Sequence, residues 1–209
     1  MDLLKTISIL PVLLLAVSMA VTVPVQGQDA LVEAFRVSYE LEHQGNYTNA
    51  AVRLQQVYQR DSYEINLRLG WLYYRAGAFD ESEAYYSNAV ALKPYAVEPR
   101  FGLALPLAAA GKSDELIVLY GRILETDPQN SIANYRLGLI YYNRGEYEKA
   151  DSYIEKVVNL YPFDYDSLIL FGWNKLALQR NREARVLFQK VLLYSPGDES
   201  ALQGLEMLK

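Results

Sequence analysis

The sequence predicts an all-α chain, a solenoid of about five stacked helix–turn–helix units closed by a short final helix. Three observations carry that expectation. Short turn motifs recur at a nearly constant interval, prolines keep step with them, and large apolar residues between the turns repeat at helical spacing. A fixed period of this length is the mark of a repeat architecture, and it takes precedence over any reading of isolated segments.

The first thirty residues stand apart from the repeat. Lys5 precedes an almost uncharged run from Thr6 to Val23, and Pro24-Val25-Gln26-Gly27 follows with small residues at Val25 and Gly27. A basic start, a short apolar stretch and a small-residue exit form the layout of a secretory signal peptide, here residues 1–27. A cut after Ala20 is the alternative site, and an uncleaved N-terminal anchor is the alternative fate. The run is at the lower limit for spanning a bilayer and contains Pro11. Both readings place the remaining chain, 28–209, outside the cytoplasm. With no Cys in the sequence, neither lipid attachment through a cysteine nor a disulfide is available there.

The repeat begins with the turns. Gly45-Asn46-Tyr47, Gly77-Ala78-Phe79, Gly111-Lys112-Ser113, Gly145-Glu146-Tyr147 and Gln179-Arg180-Asn181 are spaced by 32, 34, 34 and 34 residues. Pro94, Pro128, Pro162 and Pro196 each lie 17 residues after one of the last four turns. Glycine takes the left-handed conformation that ends a helix without strain. A proline then closes the unit by disfavouring helix in the residue before it. Before the turns, small residues recur at Gly70, Ala104, Gly138 and Gly172. After them come Ala50, Ala150 and Ala184, then Leu54, Tyr86, Tyr120, Ile154 and Phe188, then Val57, Ala89, Ile123, Val157 and Val191. Small residues let two helices approach, and large ones fill the seam between them.

These columns resemble the tetratricopeptide repeat, a helix–turn–helix family, over units 31–62, 63–96, 97–130, 131–164 and 165–198. The resemblance implies a right-handed α-solenoid. The pattern departs from the family where a Trp is common early in the first helix: Ala34, Asn66, Arg100, Asn134 and Leu168 stand there. The first unit is two residues short, and Ala104 replaces a common Gly. Residues 199–209 read as a cap, with Ala201, Leu202, Leu205 and Leu208 facing inward. Pro106 falls inside the first helix of the third unit, where it removes a backbone hydrogen bond. It is read either as a hinge that shapes a groove or as a tolerated bend.

Composition removes most chemistry. With no Cys and one His among 209 residues, thiol nucleophiles, cysteine-based metal sites and histidine-rich sites are excluded. Gly111-Lys112-Ser113 imitates the end of a phosphate loop, but Pro106 stands where that loop needs its first glycine. His43 beside Glu42 has no nucleophile assigned to it. Asn46-Tyr47-Thr48 is a formal glycosylation sequon at chance frequency. No catalytic, cofactor-binding or metal residue is assigned, and no enzyme is expected. A net charge of −5 argues against a nucleic-acid partner.

What the resemblance implies about function is a partner-binding groove lined by the first helix of each unit. Transferred to this chain, the groove positions are Phe35, Arg36, Tyr39, Arg68, Trp71, Tyr74, Phe101, Tyr135, Arg136, Tyr142 and Trp173, accompanied by Leu105, Ala108, Leu139 and Asn143. Eight are aromatic, and both tryptophans are among them. Such rings suit partner binding, because they bury apolar area at low entropic cost. They also suit packing between neighbouring helices. Arg36, Arg68 and Arg136 share one column, suited to carboxylates or carbonyls of a bound segment. Phe35 and Tyr39 occupy the columns of the lysine and asparagine with which some family members grip a C-terminal carboxylate, so that clamp is not reproduced. The expected function is a non-catalytic, extracytoplasmic adaptor, in a bacterial periplasm, for a protein or peptide partner. Membrane contact arises only if the N-terminal segment is retained. A glycan or lipid binder using the same rings, and a self-assembling module, are the alternatives.

Overall fold

The computed structural model describes residues 25–209, which form eleven helices and, among the described residues, no strand. The expected leader lies almost wholly outside the described residues. In chain order the helices are α1 (Val25–His43), α2 (Tyr47–Gln55), α3 (Tyr63–Arg75), α4 (Phe79–Leu92), α5 (Glu98–Ala109), α6 (Ser113–Thr126), α7 (Ser131–Asn143), α8 (Tyr147–Leu160), α9 (Tyr165–Ala177), α10 (Asn181–Tyr194) and α11 (Glu199–Glu206). Odd-numbered helices are the first members of five antiparallel pairs, and α11 closes the stack on α9 and α10. Apolar burial gathers into three clusters along the stack, each formed where one pair covers the flank of the next.

Each first helix ends as its turn residue dictates. Gly45, Gly77, Gly111 and Gly145 have φ of 75°, 80°, 69° and 73°, and Gln179 takes the same conformation at 59°. The next residue donates its amide to the carbonyl five back, as in Asn46 to Leu41 and Glu146 to Tyr141, both at 2.8–2.9 Å. This is the Schellman arrangement that satisfies carbonyls otherwise orphaned at a helix end. The beginnings of α3, α7, α9 and α11 are capped by Ser62, Asn130, Asp164 and Asp198, whose side chains accept from a backbone amide three residues on.

The column that departs from the family's Trp has a job of its own. The Asn66 amide donates to the Arg60 and Ser62 carbonyls at 3.0 and 2.7 Å, and Asn134 donates to Pro128 and Asn130 at 3.1 and 2.9 Å. Arg100 does the same with Ala96 and Pro94. A side-chain donor thus ties the loops before α3, α5 and α7 to the helix that follows, while the buried Leu168 takes this column in α9.

The seams between pairs depend on glycine. The Tyr86 ring of α4 lies between Gly70 of α3 and Gly102 of α5. A Cβ on Gly70 would be 2.7 Å from the ring, and one on Gly102 would overlap it. Phe188 of α10 sits likewise between Gly172 of α9 and Gly204 of α11. In both places the flanking first helices close on one another. Tyr120 of α6 instead faces Ala104 and the position of Arg136, neither of which offers that space. There α5 and α7 make no appreciable backbone contact, and α5–α6 is the most loosely packed of the five pairs.

Two details correct the reading of the sequence. In the cap, Leu202 is exposed, while Ala201 and Gly204 are buried. Gly204 is the position next to Phe188, which turns α11 away from the register that would bury Leu202. In the first unit Val57 lies beyond α2, which stops at Gln55, although its side chain still packs against the first apolar cluster. Helix α5 runs through Pro106, which is buried.

Candidate partner-binding groove

Where first helices of adjacent pairs stand apart, their shared face is indented. One recess of about 420 Å³ is bounded by Phe35 and Tyr39 of α1, Arg68 and Trp71 of α3, and Glu98 of α5, with Tyr86 as part of its floor. A second, of about 540 Å³, opens between α5 and α7. Phe101, Leu105 and Ala108 form one wall, Arg136, Leu139 and Asn143 the other, and Leu116 and Tyr120 of α6 lie beneath. A third, of about 330 Å³, adjoins it across α7 and is lined by Tyr135, Arg136, Asp164 and Asp166. Six of the eleven expected groove residues therefore line the first two recesses, and Tyr135 lines the third.

The remaining four are engaged within the chain. Tyr74 packs against Trp71 and Phe79, each at 6.0 Å between ring centres. Tyr142 packs against Tyr147 at 5.6 Å, and burial pushes its hydroxyl pKa up. Trp173 meets Phe188 edge-on at 5.3 Å and donates its indole N–H to Ser200 Oγ at 2.8 Å, which ties it to the cap. Arg36 is exposed and held by Glu33 and Glu40 on its own helix.

The three arginines of the shared column differ sharply. Arg68 is buried, 8% exposed, and its guanidinium bonds the Glu42 carboxylate at 2.5 Å. It also donates to Ser38 Oγ at 3.4 Å and lies 3.9 Å over the Tyr39 ring. Trp71 Nε1 donates to the other Glu42 oxygen at 2.5 Å. Burial alone would push the Glu42 carboxyl up, but the bonds from Trp71 and Arg68 outweigh it and hold it below its ordinary 4.5. Arg136 is exposed and has no ion-pair partner among the described residues. Its nearest aromatic contact is its own neighbour Tyr135, 5.9 Å away.

Glu42 is the member that the sequence pattern passed over. Only a turn-by-turn alignment, which sets it one helical turn beyond Ser38, points it at the arginine column of the next unit. Because Glu42 is committed to Arg68 and Trp71, it is not a base for His43, which is exposed at the end of α1. Lys112, in the turn that imitates a phosphate loop, pairs with Glu83 at 2.8 Å. Among the described residues, no cluster of three or more His, Cys, Asp or Glu could hold a metal ion. No described helix is long and apolar enough to cross a membrane.

Tetratricopeptide-repeat models match residues 38–97 and 131–164. By fold, a crystal structure of a MamA protein superposes with a TM-score of 0.70 at 20% identity, covering 79% of this chain and 91% of that one. A tetratricopeptide repeat protein from Parabacteroides merdae gives 0.75 at 18% identity, covering 86% of this chain and 72% of that one. In sequence, 102 residues are 34% identical to the human protein O-mannosyl-transferase TMTC1, and 90 residues are 33% identical to the TPR repeat-containing thioredoxin TTL4 of Arabidopsis thaliana. Those stretches are 48% and 43% of this chain, but it spans only 12% and 13% of those two relatives. The chain carries tetratricopeptide repeats, and its fold is that of a tetratricopeptide-repeat solenoid.

Proposed function

We propose that the protein is a non-catalytic adaptor of the extracytoplasmic compartment, a bacterial periplasm, which holds a segment of a partner protein against the first-helix face. The observation that carries this reading is the pair of recesses, about 420 and 540 Å³, on that one face. Phe35 and Phe101 hold equivalent places in the two, aligned through the turn glycines Gly45 and Gly111. A segment lying along the face would insert one anchor in each recess, and buried apolar anchors dominate binding of this kind. The repeat supports a protein-interaction role in general.

The test is affinity purification from native envelope fractions with wild type and the Phe35→Ala/Phe101→Ala variant side by side. Both rings are partly exposed, so circular dichroism should show the variant folded. Loss of the co-purifying protein supports the groove, and unchanged recovery would overturn it. N-terminal sequencing of the protein from fractionated cells tests the setting: a chain starting at Gln28, or after Ala20, supports export with cleavage. A full-length chain in the cytosol would remove it.

A further inference from the structure

The two seams that stay open share one geometry, and only one of them is completed from within. Aligned through the turn glycines, Ser38, Tyr39 and Glu42 of α1 correspond to Ala104, Leu105 and Ala108 of α5, and Arg68 of α3 corresponds to Arg136 of α7. In the first seam all three α1 residues serve the arginine. Ser38 accepts a hydrogen bond, the Tyr39 ring lies under the guanidinium, and Glu42 neutralises it. In the second seam each of those partners has been replaced by an alkyl group. Arg136 consequently stands without a carboxylate at the mouth of an apolar recess.

Asp164 and Asp166 lie on the far side of Arg136, in the neighbouring recess, and neither forms an ion pair with it. Asp164 is occupied in capping α9, accepting from the Ser167 amide at 2.9 Å. The polar groups that face the α5–α7 recess are Arg136 and Asn143, apart from the Tyr120 hydroxyl. Both can donate hydrogen bonds, and no carboxylate lines this recess.

We propose that the α5–α7 recess takes a partner-protein segment carrying a large apolar side chain beside an Asp or Glu, whose side-chain carboxylate pairs with Arg136 as Glu42 pairs with Arg68. The apolar side chain fills the space between Phe101, Leu105 and Leu139, and the carboxylate reaches the guanidinium at the rim. Charge-assisted bonds of this type are short and directional, so they fix the register of the segment as well as adding affinity. This inference rests on the groove reading above and specifies the chemistry of its partner.

A library of random peptides displayed as an internal insert, with no free C-terminus, restricts acids to side chains. It is selected on the full chain, on Arg136→Ala, on Ala108→Glu and on Phe35→Ala/Phe101→Ala. Wild type should enrich peptides with Asp or Glu near a Leu, Phe or Trp. Such peptides, measured singly by fluorescence anisotropy, should bind Arg136→Ala about tenfold or more weakly, the loss of one charge-assisted contact. Ala108→Glu should lose them to a similar degree, because it gives Arg136 an internal partner in the place of Glu42. Ala108→Gln, of the same size, should keep them. Peptides that lack acids yet depend on Phe35 and Phe101 would overturn this inference and leave the groove standing. Peptides indifferent to Phe35 and Phe101, or no enrichment at all, would overturn both.

Discussion

The seams around Phe188 and Tyr120 are built from the same parts and end in opposite states. Phe188 has a glycine on each side, Gly172 and Gly204, and its ring is fully buried between helices that touch. Tyr120 has Ala104 on one side and the Arg136 position on the other, and the helices beside it part. A single methyl group in a close-packed wall forces neighbours apart, since interiors have no slack to absorb it. The comparison teaches that the recess between α5 and α7 is cut by omission. Where glycines flank the ring the first helices meet, and at Tyr120, where they are absent, the helices part.

The strongest way to break this contrast is to remove the rings. Phe188→Ala should cost about 3–5 kcal/mol, the range for a fully buried aromatic whose space cannot collapse. Tyr120→Ala should cost less, about 2 kcal/mol, because the space it vacates joins an open recess rather than a closed cavity. Denaturant midpoints at constant slope measure both. Equal losses would mean that the Tyr120 seam is as tightly closed as its counterpart.

Next in size is the internal ion pair of the α1–α3 seam. Glu42→Gln should cost about 2–3 kcal/mol, less than for a fully buried pair because 19% of the Glu42 side chain is exposed. The same pair gives a pH dependence. Glu42 is held below its ordinary 4.5 in the folded chain, so its contribution is fully present above that value and is lost as pH falls through the lowered folded value. Acid titration of Trp71 fluorescence, compared with Glu42→Gln, reads it directly, since the indole donates to this carboxylate. A variant with the same acid limb as wild type would assign the pH dependence to other carboxylates.

The turns were legible because glycine at a fixed interval has one common use at a helix end, and even Gln179 adopts that conformation by position alone. The wedge column at Tyr86, Tyr120, Ile154 and Phe188 was legible for the same reason, as large residues at constant phase. The state of each seam was not, because it depends on two residues from different units that flank one ring, as Gly70 and Gly102 flank Tyr86. The arginine column shows the limit most clearly. Arg36, Arg68 and Arg136 look equivalent along the sequence, yet Glu33 and Glu40, Glu42, and no described carboxylate are their respective partners. Leu202 reads as inward-facing because helical phase alone cannot distinguish a buried glycine from a gap in the apolar stripe.

A smaller effect tests the glycine argument at its source. Gly102→Ala should cost about 2 kcal/mol, within the range for overpacking, since its methyl group would overlap the Tyr86 ring. Gly121→Ala, where a Cβ meets nothing within 4 Å, should instead be neutral or slightly stabilising through helix propensity, by about 0.5–1 kcal/mol. The sign difference between two Gly→Ala changes in adjacent helices is the informative result. Matching signs would show that propensity, and not space, governs Gly102.

The smallest expected effect concerns how the third unit begins. Asn130 caps α7 by accepting from the Ala133 amide at 3.0 Å, and Asn130→Ala should cost about 1 kcal/mol. At the equivalent place before α5 stands Ala96, and installing a cap there invites a matching gain. That gain should be close to zero. Helix α5 starts one residue later than its fellows, with Val97 already in helical geometry at φ −84°, ψ −33° and its carbonyl accepting from the Phe101 amide. The Ala96 carbonyl is taken by the Arg100 guanidinium at 3.0 Å, and Pro99 has no amide to offer in the first turn. A side chain introduced by Ala96→Asn would therefore find no free amide three residues on, where Pro99 stands. A thermal midpoint for Ala96→Asn raised as much as Asn130→Ala lowers it would show that α5 can restart in register with α7, which would make its offset a matter of cap chemistry rather than of the loop held by Arg100.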